Sequence, residues 1–272
     1  MTSSIPRDIQ LGLCCLNTHL REQKPTVFCS RTMIQKTIKE KGIDELKRRV
    51  LLNLDDLLKV IQWNEDNGIR VYRLSSEMFP HKTNKNVEQY TLDFAAEKLK
   101  AAGDLAKKYG HRLTFHPGQF NVLGTPEESK LQQTINGLTY HANVLDLMGC
   151  GVDSVMVIHG GGLYGDKEKA KARWSENYLK LPKIITDRLV LENCERCFSI
   201  QDCLDISEKV HVPVVFDTHH FDCYNQLHPE ETHLVAEEYI PHILTSWERR
   251  GIKPKFHVSE QGSGRVGHHS DY

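Results

Sequence analysis

Short apolar runs that end in metal-binding residue types are the feature that most constrains the fold of this chain. Five of them are Arg112–His116, Val155–His159, Leu189–Glu192, Val214–Asp217 and Lys255–His257. Runs of this length and character predict buried parallel strands. In a (β/α) barrel the active site lies at the carboxyl ends of the strands. The five runs, with a sixth ligand-rich segment at His268–Asp271, therefore predict a metal site at one mouth of a barrel.

Helical patterns alternate with these runs along the whole chain. Strands are predicted near residues 9–14, 70–74, 112–115, 154–158, 189–192, 212–217 and 255–258. Helices are predicted over residues 44–67, 90–109, 126–148, 199–210 and 230–250. Repeated βα units predict an α/β fold of the TIM (β/α)8 type. Seven strands are predicted where eight are needed, so we expect one domain over residues 1–272 that lacks its last strand and helix, through C-terminal truncation or an open barrel.

Composition and charge exclude several classes of protein. The 272 residues are 39% hydrophobic and 26% charged, which excludes a disordered chain and a membrane protein. The net charge of −1 excludes a surface that is basic overall. The N-terminus has no charged-then-apolar leader, so an intracellular location is predicted, in cytoplasm, nucleus or virus. Cys194 and Cys197 form one isolated CxxC, for which ordinary thiols are the favoured interpretation over a zinc or redox site.

The strand ends and the terminal segment together predict a multinuclear metal centre. Its predicted ligands are His116, His159, Glu192, Asp217, His220, His257 and His269. In this arrangement Glu192 bridges two ions, and His220 with His269 serves a third. Mixed nitrogen and oxygen donors suit zinc or manganese better than magnesium. Two or three adjacent ions are typical of enzymes that hydrolyse phosphodiesters.

Eight segments along the chain also resemble a known family. They are Leu11-Gly12 with Asn17, Tyr72–Ser76, Phe115–Gln119, His159–Gly162, Leu191–Asn193, Asp217–His220, Lys255–His257 and His269–Tyr272. The resemblance is to the ultraviolet damage endonucleases, which are related to abasic-site nucleases of the endonuclease IV type. It extends from residue 11 to the end of the chain, and the combination of His-Pro-x-Gln, Asp-Thr-x-His and His-Ser-Asp-Tyr is specific.

The resemblance implies both an activity and a set of partners. The family fold is a TIM barrel that holds up to three divalent ions, often manganese, so two or three ions are expected here, with zinc or magnesium as alternatives. The implied reaction is one incision immediately 5′ to a pyrimidine dimer or 6-4 photoproduct, leaving a 3′-hydroxyl, with abasic sites also accepted. The implied partner is damaged double-stranded DNA, bound by a monomer.

The resemblance also implies roles for individual residues. The seven predicted ligands fall on the family's metal ligands, and Lys255 matches a lysine that carries a carboxyl modification near them, so Lys255 and Glu192 are the expected catalytic residues. Gln119 and Phe120 match a Gln-Tyr pair that wedges into the duplex at the lesion. Asn17 matches an asparagine near the lesion.

Three departures from the family pattern leave other functions open. Leu13 and Phe120 each replace a tyrosine of the family. The family's last bridging glutamate follows the terminal His-Ser-Asp-Tyr, where this chain stops, which is why truncation is expected. One alternative is therefore a damage-binding protein with impaired catalysis. A second is a sugar isomerase or epimerase of the xylose isomerase type, whose fold also gathers Glu, Asp and His at strand ends.

Overall fold

The computed structural model describes residues 9–231 and 235–270. Its seven strands are β1 (Gly12–Cys14), β2 (Val71–Leu74), β3 (Arg112–Phe115), β4 (Met156–His159), β5 (Leu189–Glu192), β6 (Val214–Asp217) and β7 (Phe256–His257). Its α-helices are α1 (Thr18–Glu22), α2 (Gln35–Lys41), α3 (Ile43–Asp66), α4 (Ala96–Tyr109), α5 (Glu128–Leu147), α6 (Lys167–Leu179), α7 (Lys183–Thr186), α8 (Ile200–Val210), α9 (Thr218–Leu227) and α10 (Ala236–Glu248). None of these helices has the length and apolar character needed to cross a lipid bilayer.

The first of two compact units comprises residues 9–116 and 140–155 of the described chain. Its strands β1, β2 and β3 pair in parallel in that order. The long helix α3 buries one stripe of side chains at spacings of three and four residues, namely Leu46, Val50, Leu54, Leu57 and Ile61. Helix α4 ends at Gly110, whose left-handed backbone (φ 68°) is the predicted C-cap.

The second unit comprises the described residues of 117–139 and 156–270. Its strands β4, β5, β6 and β7 also pair in parallel in chain order. Strands β4, β5 and β6 are buried almost throughout, as expected for parallel strands covered on both faces. Helix α10 packs against β6, where the Trp247 indole Nε1 donates to the Val214 carbonyl oxygen at 2.6 Å. The carboxyl ends of these strands are therefore held in place by a buried core.

The predicted elements are present, but several boundaries differ. The first strand is only three residues long, and the helix predicted from residue 90 begins at Ala96, after a 3-10 turn at Asp93–Ala95. The helix predicted from residue 230 begins at Ala236, and residues 232–234 are not among those described. Helices α1, α2, α6, α7 and α9 were not predicted. Asp271 and Tyr272 of the terminal motif lie outside the described residues, and the single-domain prediction stays a prediction.

Candidate metal centre

Strand register brings four ligand-type side chains of the second unit to one face of its sheet. His159 pairs laterally with Glu192, and Asp217 pairs with His257. Glu192 pairs with Val215, two residues before Asp217. Paired residues of adjacent parallel strands share a face, and so do residues i and i+2 of one strand. His159, Glu192, Asp217 and His257 therefore all face the same way.

Glu192 is at the middle of this group and is fully buried. Its Oε1 contacts Nδ1 of His257, and its Oε2 lies 3.5 Å from Nε2 of His159. Nδ1 of His257 is also 4.0 Å from Oδ2 of Asp217. Two buried carboxylates side by side are costly unless cations or hydrogen-bond donors compensate their charge. Imidazoles supply part of that compensation here.

Asp217 ends β6 and begins the next helix. Its Oδ1 accepts a hydrogen bond from the backbone N–H of His220 at 2.9 Å, which makes it the N-cap of α9. Its Oδ2 lies 3.7 Å from Nδ1 of His220. The first turn of α9 thus places the imidazole of His220 next to the carboxylate of Asp217, which caps that helix. Ligand atoms of Glu192, Asp217 and His220 all lie within 4.8 Å of one another.

Asn193 organises this junction and was not among the predicted site residues. Its Oδ1 accepts from the Asp217 N–H at 2.8 Å, and its Nδ2 donates to the Asp217 carbonyl oxygen at 3.0 Å. Nδ1 of His220 lies 3.1 Å from the Asn193 carbonyl oxygen. A carbonyl only accepts, so Nδ1 carries the proton and Nε2 of His220 keeps its lone pair for a ligand. The sequence signal was an amide directly after a strand-ending glutamate.

His269 reaches the group from the last described segment. The Ser270 N–H donates to the Glu260 carbonyl oxygen at 2.9 Å, and Gln261 and His269 form an antiparallel bridge. The ring centroids of His269 and His220 are 5.4 Å apart, and those of His220 and His159 are 5.2 Å apart. His269 therefore lies beside the candidate centre although it is distant from it in sequence.

The remaining predicted residues occupy several positions. Lys255 is buried and lies two residues before His257. In the first unit, His116 follows β3, and its carbonyl oxygen accepts from the Ser76 hydroxyl at 3.3 Å. Also in that unit, Asn17 is buried as the N-cap of α1, and its Oδ1 accepts from the Leu20 N–H at 2.9 Å. The predicted roles of Lys255, His116 and Asn17 stay predictions.

A cavity of about 500 Å³ within the second unit adjoins the candidate ligands. It is lined by His159, His220 and His269, by the segment 117–122, by Gly161 and Gly162, by Gly267 and by the segment 194–197. Gln119 and Phe120 are therefore on the wall of the cavity that the ligands open into. Phe120 is 84% exposed, which is unusual for a phenylalanine and excludes a core role for it.

The donor set fits a divalent cation. It combines the buried carboxylates of Glu192 and Asp217 with imidazoles, and hydrogen bonds orient Asp217 and His220. Such mixed oxygen and nitrogen sets suit manganese or zinc. A buried pair of carboxylates also gains from a cation that neutralises it.

Comparison with known proteins gives a consistent result. Residues 9–272 match the family described as UV-endonuclease UvdE. The UV-damage endonuclease of Schizosaccharomyces pombe is 38% identical over 260 residues, which cover 94% of this chain and 43% of that protein. The UV DNA damage endonuclease of Bacillus mycoides is 32% identical over 265 residues, covering 97% and 82%. The chain thus spans less than half of the fungal relative and most of the bacterial one.

The structural comparison addresses the fold. The crystal structure of SacUVDE matches with a TM-score of 0.83 at 28% identity, covering 96% of this chain and 84% of that one. This likeness confirms the predicted TIM (β/α)8-type fold class. Seven strands, not eight, lie within the described residues, as expected for a barrel that lacks its last strand.

Proposed function

Because the chain belongs to the UvdE family of UV endonucleases, we propose that it incises duplex DNA immediately 5′ to UV photoproducts and at abasic sites. The reaction proposed is metal-assisted hydrolysis of one phosphodiester, leaving a 3′-hydroxyl. The proposed cofactors are two or three divalent ions. Manganese is the preferred ion, and zinc and magnesium are the alternatives. A monomer acting on damaged double-stranded DNA is the proposed working form.

One observation carries this proposal above all. The register of β4 to β7 turns His159, Glu192, Asp217 and His257 to one face, beside a cavity whose wall also carries Phe120. A site for a small sugar does not need an exposed aromatic residue at its edge. At a site for a splayed duplex an exposed aromatic ring is useful, because it can replace a lost stacking partner.

The chemistry divides between bound ions and the protein. Divalent ions, when bound, would activate water and offset negative charge on the reacting phosphodiester. Glu192 and the capped Asp217 are proposed to hold them through their buried carboxylates. Asn193 fixes Asp217 and the tautomer of His220, so the ligands need little reorganisation. His116, His269 and Lys255 are proposed to complete the centre.

Lesion selectivity is proposed to come from stacking rather than from base readout. A photoproduct weakens local stacking, so a damaged step costs less to kink and splay than an undamaged step. Gln119 and Phe120 would fill the gap, with the exposed ring of Phe120 against a base. Asn17 is proposed as a further lesion contact.

The test is incision of a duplex that bears one defined 6-4 photoproduct, with the product ends mapped to the nucleotide. We expect one cut on the 5′ side with added Mn²⁺, none with a chelator and none in the undamaged duplex. Binding without cutting would favour a damage-binding protein, and heat protection by a sugar with no DNA binding would favour an isomerase.

A matched pair of variants tests the metal centre within this assay. Glu192→Gln removes a carboxylate charge beside His257, whereas Glu65→Gln does the same beside His111 in the other unit, where Glu65 Oε2 lies 3.0 Å from the imidazole. We expect Glu192→Gln to abolish incision and lower the number of Mn²⁺ ions bound. Glu65→Gln should retain both. Equal effects of the two substitutions would contradict the proposed centre.

A further inference from the structure

The isolated CxxC motif lies in the wall of the same cavity. Cys194, Glu195, Arg196 and Cys197 all line it. They belong to a closed turn, called here the Cys194–Phe198 turn, in which the Cys194 N–H donates to the Phe198 carbonyl oxygen at 3.0 Å. A CxxC remote from any site is a weak signal, but this one borders the proposed reaction centre.

The two thiols lie in one turn and are inequivalent. Sγ of Cys194 accepts from the backbone N–H groups of Cys197 and Phe198, both at 3.2 Å. Hydrogen bonding with the Cys194 side chain lowers the pKa of Cys197 to about 7. Cys194 is 7% exposed, whereas Cys197 is partly exposed on the cavity side. Cys197 is therefore the accessible nucleophile, and Cys194 lies beside it.

From this geometry we infer that Cys194 and Cys197 are a reversible dithiol–disulfide pair, closed by a small-molecule disulfide, that controls the shape of the cavity wall. The consequence for DNA incision rests on the proposed function. Thiol pairs at CxxC spacing are a known arrangement for such exchange. All eight cysteines of the chain are free thiols in this structure.

The exchange is balanced with a disulfide RSSR as the oxidant. The Cys197 thiolate attacks one sulfur of RSSR, whose S–S bond breaks, and the released RS⁻ takes up a proton. Cys194 then loses its proton and attacks Sγ of Cys197, which breaks the mixed disulfide and releases a second RS⁻. The two cysteines lose two electrons in all, and RSSR gains them as two RSH.

Closure would change the wall because the turn is held through Sγ of Cys194. A disulfide redirects that sulfur from the two N–H groups of the turn. Within the turn, Glu195 packs so closely against Gly267 that a Cβ on Gly267 would lie 3.1 Å from Glu195 Cγ. Gly267 is two residues from His269, one of the proposed ligands. Oxidation should thus disturb both the cavity wall and the segment that carries His269.

The opposite end of the turn is anchored near another ligand. Phe198 is fully buried and packs against Gly160, where a Cβ would overlap its ring. Gly160 directly follows His159. The Arg196 carbonyl oxygen also lies 3.0 Å from Nε2 of His228. Because the buried ring of Phe198 holds one end of the turn in the core, strain from closing the disulfide should fall on the more exposed segment 195–197 rather than spread through the core.

The experiment treats the full chain with oxidised glutathione, blocks remaining thiols by alkylation, and maps peptides without reduction. We expect the peptide that contains Cys194 and Cys197 to lose two hydrogens and to escape alkylation. Incision of the photoproduct duplex with Mn²⁺ should fall on the order of tenfold, since misplacement of a site by about 1 Å costs up to about 100-fold, and dithiothreitol should restore it.

Two variants separate the outcomes. Cys197→Ser should incise as well after glutathione treatment as before it, whereas Cys14→Ser, which removes an exposed thiol of the first unit, should respond like the wild type. Alkylation of both Cys194 and Cys197 after treatment would overturn the inference, as would a disulfide that leaves incision unchanged. If reduced wild-type protein fails to incise, the proposed function fails, and the peptide map still decides on the disulfide.

Discussion

Replacement of Asn193 by alanine should weaken metal binding without removing any proposed ligand. The amide of Asn193 makes two buried hydrogen bonds to the backbone of Asp217, at 2.8 and 3.0 Å. A buried donor or acceptor left without a partner costs about 1–3 kcal/mol, so losing both partners should lower the free energy of unfolding by roughly 2–6 kcal/mol. The Asn193 carbonyl that orients His220 survives in Asn193→Ala. Loss of metal affinity would therefore report on Asp217, and we expect about 10- to 100-fold.

Urea unfolding measures the first effect, and Mn²⁺ titration by calorimetry at a temperature where the variant is folded measures the second. The matched control is Asn53→Ala in the first unit. Asn53 is fully buried and clamps the backbone N–H and carbonyl of Arg31 at 2.9 and 3.2 Å, so its loss should lower stability by a similar amount. It should leave Mn²⁺ affinity intact. If Asn193→Ala binds Mn²⁺ as tightly as Asn53→Ala does, Asn193 does not position a ligand.

Three further substitutions give separate expectations. Gly103→Ala in α4 places a Cβ on the Met148 carbonyl, so the free energy of unfolding in urea should fall by about 1–3 kcal/mol, and an unchanged value would refute the close approach. Burial raises the pKa of Asp202, but the hydrogen bonds from Lys167 and the Ser199 N–H and the positive charges of Lys167 and Lys171 together outweigh it, so the net pKa is lowered. Asp202 thus stabilises the fold above its unfolded pKa of about 3.9, and the stability difference between wild type and Asp202→Asn should shrink as pH falls below that value, as acid unfolding curves would reveal. Phe120→Ala should weaken lesion-duplex binding by about 1–3 kcal/mol in a fluorescence titration, with recovery in Phe120→Tyr and no change in urea stability.

The sequence predicted strands and their terminal residues better than it predicted the helix that follows Asp217. Buried strands β3 and β5 have the predicted bounds, because short apolar runs carry a strong local signal. The segment Thr218–Leu227 is short and directly follows a strand, and its first turn is set by the capping carboxylate of Asp217. The position of His220 depends on that turn. The local sequence pattern therefore predicted that His220 is near the site. It did not predict that the His220 imidazole lies next to the carboxylates of Glu192 and Asp217.

The role of Asn193 could not be predicted from the sequence, for a different reason. Its amide acts on a residue 24 positions away, and that contact exists only once β5 and β6 are paired in their register. The position of the CxxC motif is a similar case. Spacing alone cannot distinguish a thiol pair in a cavity wall from one on an ordinary loop, because the cavity is formed by segments that are distant in sequence.

The geometry at Asp217 links folding of the second unit to the chemistry proposed for it. A carboxylate has about four lone-pair positions, so Oδ1 can cap α9 while Oδ2 remains directed at His220 and His257. The same side chain thus fixes the start of α9 and holds charge at the centre. A cation bound there would stabilise the helix start, and a formed helix would present His220 to the cation. Metal affinity and the stability of α9 should therefore rise and fall together, which is the general expectation when ligands come from elements that only folding brings together.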